Sequence, residues 1–142
     1  GVPNGFQLVG NAANEIAPGK RMLSSMTPTF IESPRGLMIA GSPGGSYITG
    51  MVLLATLDFL DGRSAAEIVA APRIHHQYLP DVLQYERDAL TPNEIESLTK
   101  RGYTLRESKR GWGNLQVITW DYASGRVDAA SDPRGEGEGQ VY

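Results

Sequence analysis

The stretch from Tyr47 to Leu60, YITGMVLLATLDFL, restricts this chain's folding more than any other segment. Wound at the helical period, its apolar side chains leave almost no polar stripe, so a helix over 46–60 has to be covered on nearly every side. It is no membrane span: its 14 residues include Thr49, Thr56 and Asp58, and crossing a bilayer takes about 20 apolar residues. Asp61-Gly62 ends it. The chain must therefore supply other layers for this helix to pack against.

What precedes the helix is as informative. Gly41-Ser42-Pro43-Gly44-Gly45-Ser46 is a glycine-rich turn leading straight into the apolar run. No lysine follows its last glycine, so the phosphate-binding G-x-x-x-x-G-K-[ST] pattern is absent, and so is G-x-G-x-x-G. Two readings stay open from local chemistry alone. The turn is only a tight helix entry, or its free backbone N–H groups and the helix's partial positive charge hold an anion or a developing oxyanion.

The hairpin leading into this loop connects it with a second motif. Residues 26–33 and 36–41 read as strands around Ser33-Pro34-Arg35-Gly36, which has the proline and glycine of a type I turn. With Pro34 and Arg35 as the loop, the numbers of facing residues add to 69. Ser25 then falls across from Gly44, and Ser24 across from Gly45. A bulge would shift this by one, and Pro28 limits pairing on its strand. Two hydroxyls thus come to the end of the hairpin that carries the glycine loop, and hydroxyl donors suit a carboxylate.

Two capping boxes mark further helices. Ser64-Ala-Ala-Glu67 opens one that Pro72 stops. Thr91-Pro-Asn-Glu94, with proline at the first helical position, opens another that ends at Arg101-Gly102. Residues 78–86 read as extended, and 103–107, 115–121 and 126–130 as strands. The class expected is α+β with antiparallel hairpins. Residues 1–24 read as a loop-rich lead-in and 131–142 as a loose tail.

Composition enters by exclusion. The net charge of −3 provides no basic field for nucleic acid or an anionic membrane surface. Without cysteine there is no disulfide framework, thiolate metal site or cysteine nucleophile. His75 and His76, adjacent on an extended segment, point to opposite sides and read as structural rather than as metal ligands. Thr27 and Thr29 read as strand residues, Lys20 and Arg21 as solvated charge near Ser24, Asp132-Pro133-Arg134 as a turn with a local ion pair, and Trp112 and Trp120 as core or loop anchors. No cofactor or metal is expected. No basic start or apolar signal core is visible in this chain.

Four segments together carry a family resemblance. Pro18 to Thr29, PGKRMLSSMTPT, resembles a P-G-K-R-x-x-S-S-M-x-P-T segment of the γ-glutamyltransferases (γ-glutamyl transpeptidases, glutathione hydrolases). Gly41 to Ser46 resembles their G-S-P-G-G-S loop, Ala71 to Gln77 their A-P-R-x-H-H-Q segment, and Ser131 to Arg134 their S-D-P-R motif. The order is the family's, and the match corresponds to the C-terminal part of the small subunit.

The resemblance implies the αββα sandwich of N-terminal-nucleophile hydrolases, which cleave themselves into large and small subunits. It implies that an N-terminal threonine attacks a γ-glutamyl amide such as glutathione, and that the acyl group passes to water or an amine. It implies Ser24 and Ser25 as binders of the substrate's α-carboxylate and Gly44 and Gly45 as the oxyanion hole. The nucleophile is expected upstream of Gly1, so this chain by itself is expected to be inactive. The expected partners are a small γ-glutamyl substrate, the large subunit and the upstream part of the small subunit. Self-association of the isolated piece through an uncovered sheet is expected too. Periplasmic or secreted location follows from the resemblance alone. The alternative is a non-catalytic fragment or degenerate domain that only binds small carboxylates.

Overall fold

A computed structural model describes residues 15–142. In chain order the elements are β1 (Thr29–Ser33), β2 (Gly36–Gly41), a 3-10 turn (Gly45–Tyr47), α1 (Ile48–Leu60), α2 (Ala65–Ala70), β3 (Ile74–His75), β4 (Leu83–Tyr85), α3 (Pro92–Lys100), β5 (Leu105–Glu107), β6 (Gln116–Asp121) and β7 (Val127–Ser131). The first strand begins at Thr29 rather than 26, because Pro28 has no N–H to give a ladder. The hairpin pairs Thr29 with Ala40 and Ser33 with Gly36, the register read from the turn. Both capping boxes form, with Ser64 and Thr91 each accepting from the amide three residues on.

The strands make an antiparallel sheet in the order β1-β2-β6-β7, and a small sheet β3-β4-β5 whose β4–β5 pair is parallel. Alternation along the strands sorts the large sheet into two faces. Met38, Ala40 and Val117 point to one, where Ala55 and Phe59 of α1 and Ala65, Ile68 and Val69 of α2 close over them. These residues are at most 4% exposed. Their burial supplies the main apolar stabilisation of the fold.

Among the described residues no layer covers the other face. Phe30, Ile39, Ile118 and Ala129 lie side by side across the four strands, and Phe30, Ile118 and Trp120 are 69%, 44% and 46% exposed. Trp120, read as core or anchor, instead sits on this face with its edge toward Tyr122. An apolar sheet face of this kind drives association. The 142-residue chain expressed by itself is expected to sediment as dimers or larger species, and Phe30→Glu with Ile118→Glu to return it to a monomer. Monomeric behaviour of the unsubstituted chain at tens of micromolar would contradict this.

Two expectations need correction. The helix over 46–60 is not covered all round: Met51, Val52, Ala55 and Phe59 are buried, whereas Leu53, Leu57 and Leu60 are half exposed. Among the described residues no layer lies over that stripe. The tail is not loose at its start either. Asp132 is buried completely, and the chain then turns back along β7. There a Cβ on Gly137 would come 2.5 Å from Ser131 Oγ, and one on Gly139 2.5 Å from the Ala129 carbonyl oxygen. Alternate glycines face the strand while Glu136 and Glu138 face solvent.

Candidate functional site

The glycine loop and the serine pair meet. β2 ends at Gly41, the backbone steps out through Ser42 and Pro43, and Gly44 and Gly45 follow with φ of +146° and +58°. L side chains avoid such angles, which accounts for glycine at both places. Neither amide donates to any described residue, so two N–H groups stand open at the entry to a 3-10 turn that runs into α1. The Ser25 hydroxyl donates to the Gly45 carbonyl. The hairpin register brought Ser25 opposite Gly44; the contact is one residue further on, as a bulge would make it. Ser24 is exposed, and its hydroxyl accepts from the Met26 amide at 3.1 Å. Thr27 donates to the Ser25 carbonyl at 2.6 Å, steadying the turn that presents the serines. Lys20 and Arg21 are exposed on the lead-in.

Behind the loop lies an aromatic stack. Tyr47 stacks on His75, with ring centroids 3.8 Å apart, and Trp112 is tilted against Tyr47 at 5.4 Å. Tyr47 Oη accepts from Gln84 Nε2 at 3.1 Å, which ties the small sheet to the start of α1. His75 is buried, and its Nε2 faces Gln77 Oε1 at 3.2 Å. Burial holds its pKa below the ordinary histidine value, aided by the neighbouring His76 and opposed by the Gln77 hydrogen bond, so the ring is neutral near pH 7. His76 turns outward instead and meets Asp81 at 2.7 Å. Two adjacent histidines on β3 and its exit thus do unrelated things.

The third and fourth motifs also meet. Arg73, from Ala-Pro-Arg, and Asp132, from Ser-Asp-Pro-Arg, form a buried ion pair at 2.6 Å. Arg134 reaches Glu86 at 2.5 Å and Asp132 at 3.1 Å. Two guanidinium groups and two carboxylates thereby close a clasp. Asp132 also accepts from the amides of Leu115 and Arg134, and Glu86 from those of Arg73 and Trp112. Burial by itself would raise the Asp132 pKa, but these amides and guanidiniums outweigh it and hold the carboxyl below its usual range. The local Asp132–Arg134 pair expected from sequence is therefore real but only part of a larger cluster.

The clasp lies next to the glycine loop through residues 111–114. Arg73 donates to the Trp112 carbonyl at 2.6 Å. The next residues pack under the loop, and the Asn114 amide donates to Ser42 Oγ at 3.1 Å. Sequence reasoning did not find Glu86, Ser42 or Asn114 in this role. The glycines flanking Trp112 were the available signal, because close packing of a loop favours them.

Similarity to known proteins agrees with the four motifs. The sequence profile of the gamma-glutamyltranspeptidase family matches residues 1–142. The chain belongs to that family. It is 40% identical over 145 residues to the glutathione hydrolase proenzyme of Pseudomonas aeruginosa, covering 99% of this chain and 26% of that protein. It is 40% identical to the Escherichia coli proenzyme of the same name, covering 94% of this chain and 23% of that protein. It therefore spans about a quarter of the length of these curated relatives. The structure superposes on gamma-glutamyltranspeptidase of Pseudomonas nitroreducens complexed with L-DON with a TM-score of 0.83 at 39% identity, over 100% of this chain and 75% of that one. On a mutant of the Helicobacter pylori gamma-glutamyltranspeptidase the TM-score is 0.84 at 37% identity, over 95% and 74% of the two chains. The fold is accordingly that of the N-terminal-nucleophile hydrolases. No helix among the described residues is long and apolar enough to cross a membrane.

Proposed function

We propose that this chain is the C-terminal portion of the small subunit of a γ-glutamyl acyl-transfer enzyme, and that it supplies the carboxylate clamp and the oxyanion hole. One observation carries the reading: the unengaged amides of Gly44 and Gly45 open beside the Ser25 hydroxyl, at the entry to an apolar helix. Similarity to proteins named glutathione hydrolase proenzyme supports the substrate class.

In this reading Ser24 and Ser25 donate to the substrate's α-carboxylate, Ser25 turning from the Gly45 carbonyl as the ligand arrives. An N-terminal threonine, supplied from outside these 142 residues, attacks the γ-carbonyl carbon. Its hydroxyl proton passes to its own α-amine. The carbonyl oxygen, now negative, accepts from the Gly44 and Gly45 amides. Collapse breaks the C–N bond, the departing amine takes the proton, and a γ-glutamyl ester remains. Water or an amine then attacks that ester by the same route in reverse. The chain alone, without the threonine, is inactive. The complete enzyme works in the periplasm or outside the cell.

The test uses the full-length protein and release of a γ-glutamyl anilide. Ser24→Ala with Ser25→Ala is expected to raise KM at least tenfold, from the loss of two hydrogen bonds to a charged group at about 1.5–3 kcal/mol each. Unchanged kcat/KM would sink the clamp. Turnover by the 142-residue chain alone would show that the nucleophile lies within it.

A further inference from the structure

We propose that residues 111–114 position the Gly44 and Gly45 amides, acting through Ser42 and Met51, and that Ser42 and Gly113 are positioning residues for the acyl-transfer step. The inference rests on the oxyanion reading above and adds what holds that site in shape.

Glycine reaches the positive φ of residues 44 and 45 without strain, so their own backbone does little to fix the direction of the two amides. Their own amides make no hydrogen bond to a described residue, so the restraint has to come from neighbours. Three contacts provide it. Ser42 Oγ accepts from the Asn114 amide at 3.1 Å and donates to the Pro43 carbonyl at 2.8 Å, which fixes the residues just before the two glycines.

Met51, only 2% exposed, is wedged between two glycines. Its Cε lies 2.7 Å from where a Cβ on Gly44 would be, and its Sδ 2.2 Å from where a Cβ on Gly113 would be. Gly113 itself has a φ of +81°. The glycine loop therefore rests on Met51, and Met51 rests on Gly113. The third contact is the Trp112 ring, which packs against Tyr47, the last residue of the 3-10 turn that Gly45 begins.

The supporting loop is itself anchored at both backbone groups of Trp112. Its carbonyl accepts from Arg73, and its amide donates to Glu86 Oε1 at 3.2 Å. A rigid frame thus reaches the two amides through one hydrogen bond, the Met51 side chain and the Trp112–Tyr47 ring contact. No residue of that frame has to touch the substrate. A displacement of about 1 Å in a catalytic arrangement can cost on the order of 100-fold in rate, so small changes in this support should be read in the chemical step.

Ser42→Ala and Gly113→Ala in the full-length protein test the proposal, with kcat and KM for a γ-glutamyl anilide and the inhibition constant of a γ-glutamyl boronate that mimics the tetrahedral state. Ser42→Ala is expected to lower kcat about 10-fold and Gly113→Ala about 100-fold. KM should stay within threefold, and boronate affinity should fall in step with kcat. Ser42→Thr, which keeps the hydroxyl, should recover most of the loss.

Unaltered kcat in folded Ser42→Ala protein would overturn the proposal, as would a loss that follows melting temperature while boronate affinity is preserved. Gly44→Ala separates the two levels of argument. If it lowers kcat and Ser42→Ala and Gly113→Ala do not, only the positioning role fails. If Gly44→Ala also leaves kcat intact, the oxyanion reading fails with it.

Discussion

Asp132→Ala is expected to destabilise the folded protein by about 3–5 kcal/mol, the cost typical of removing one member of a buried ion pair. The change strands Arg73, which is 3% exposed, and takes away the acceptor of the Leu115 amide. Denaturant unfolding of the full-length protein measures it. Asp132→Asn should cost less, because an amide oxygen can still receive one donor. The usual remedy of exchanging a buried pair for apolar residues should not restore stability here. Arg73→Met with Asp132→Leu leaves both the Leu115 amide and Arg134 without the carboxylate they use. A loss below about 1 kcal/mol for Asp132→Ala would mean the cluster is not a structural tie.

The same carboxylate predicts acid sensitivity. Its folded pKa is depressed, so the unfolded chain binds the proton more readily. The contribution is complete above the ordinary aspartate value of about 3.9 and is lost as pH falls through the lower folded value. Asp132→Asn should remove that part of the acid limb.

The second large effect is on catalysis. Gly44→Ala is expected to lower kcat by about 10²–10³-fold, the loss found when one oxyanion donor is removed or misdirected, with KM little altered. At φ +146° an alanine is strained, which turns the peptide plane that carries the amide, and its Cβ would displace Met51 Cε, 2.7 Å away. Gly45→Ala makes a useful contrast. Its φ of +58° is left-handed helical, and nothing lies within 4 Å of an added Cβ, so the cost is about 1–2 kcal/mol of backbone strain. The amide direction is kept, and kcat should fall much less. Equal losses in the two variants, measured on the same γ-glutamyl anilide, would argue against a directional role for Gly44.

Local chemistry made much of the fold legible. The Pro34-Arg35 turn fixed the β1–β2 register, and Ser64 and Thr91 marked two helix starts, because each depends on residues within four positions. The serine pair and the glycine loop could be brought together for the same reason, through a short hairpin. The clasp could not. Arg73 and Asp132 are 59 positions apart and Glu86 and Arg134 are 48 apart, and no periodicity links them. The parallel pairing of β4 with β5 depends likewise on which elements become neighbours. The tail misled because a run of alternating glycine and glutamate resembles a linker, whereas here the glycines permit close approach to β7.

The clasp also sets an order of events during synthesis. Ser24, Ser25, Gly44 and Gly45 leave the ribosome before Asp132 and Arg134, and the frame under them closes only when those two have followed. A nascent chain stopped at residue 130 would contain the serine pair and the glycine loop but neither Asp132 nor Arg134. The loop beneath Gly44 and Gly45 thus gains its full frame only once residue 134 has been added, and a product truncated before residue 132 lacks the carboxylate that holds Arg73.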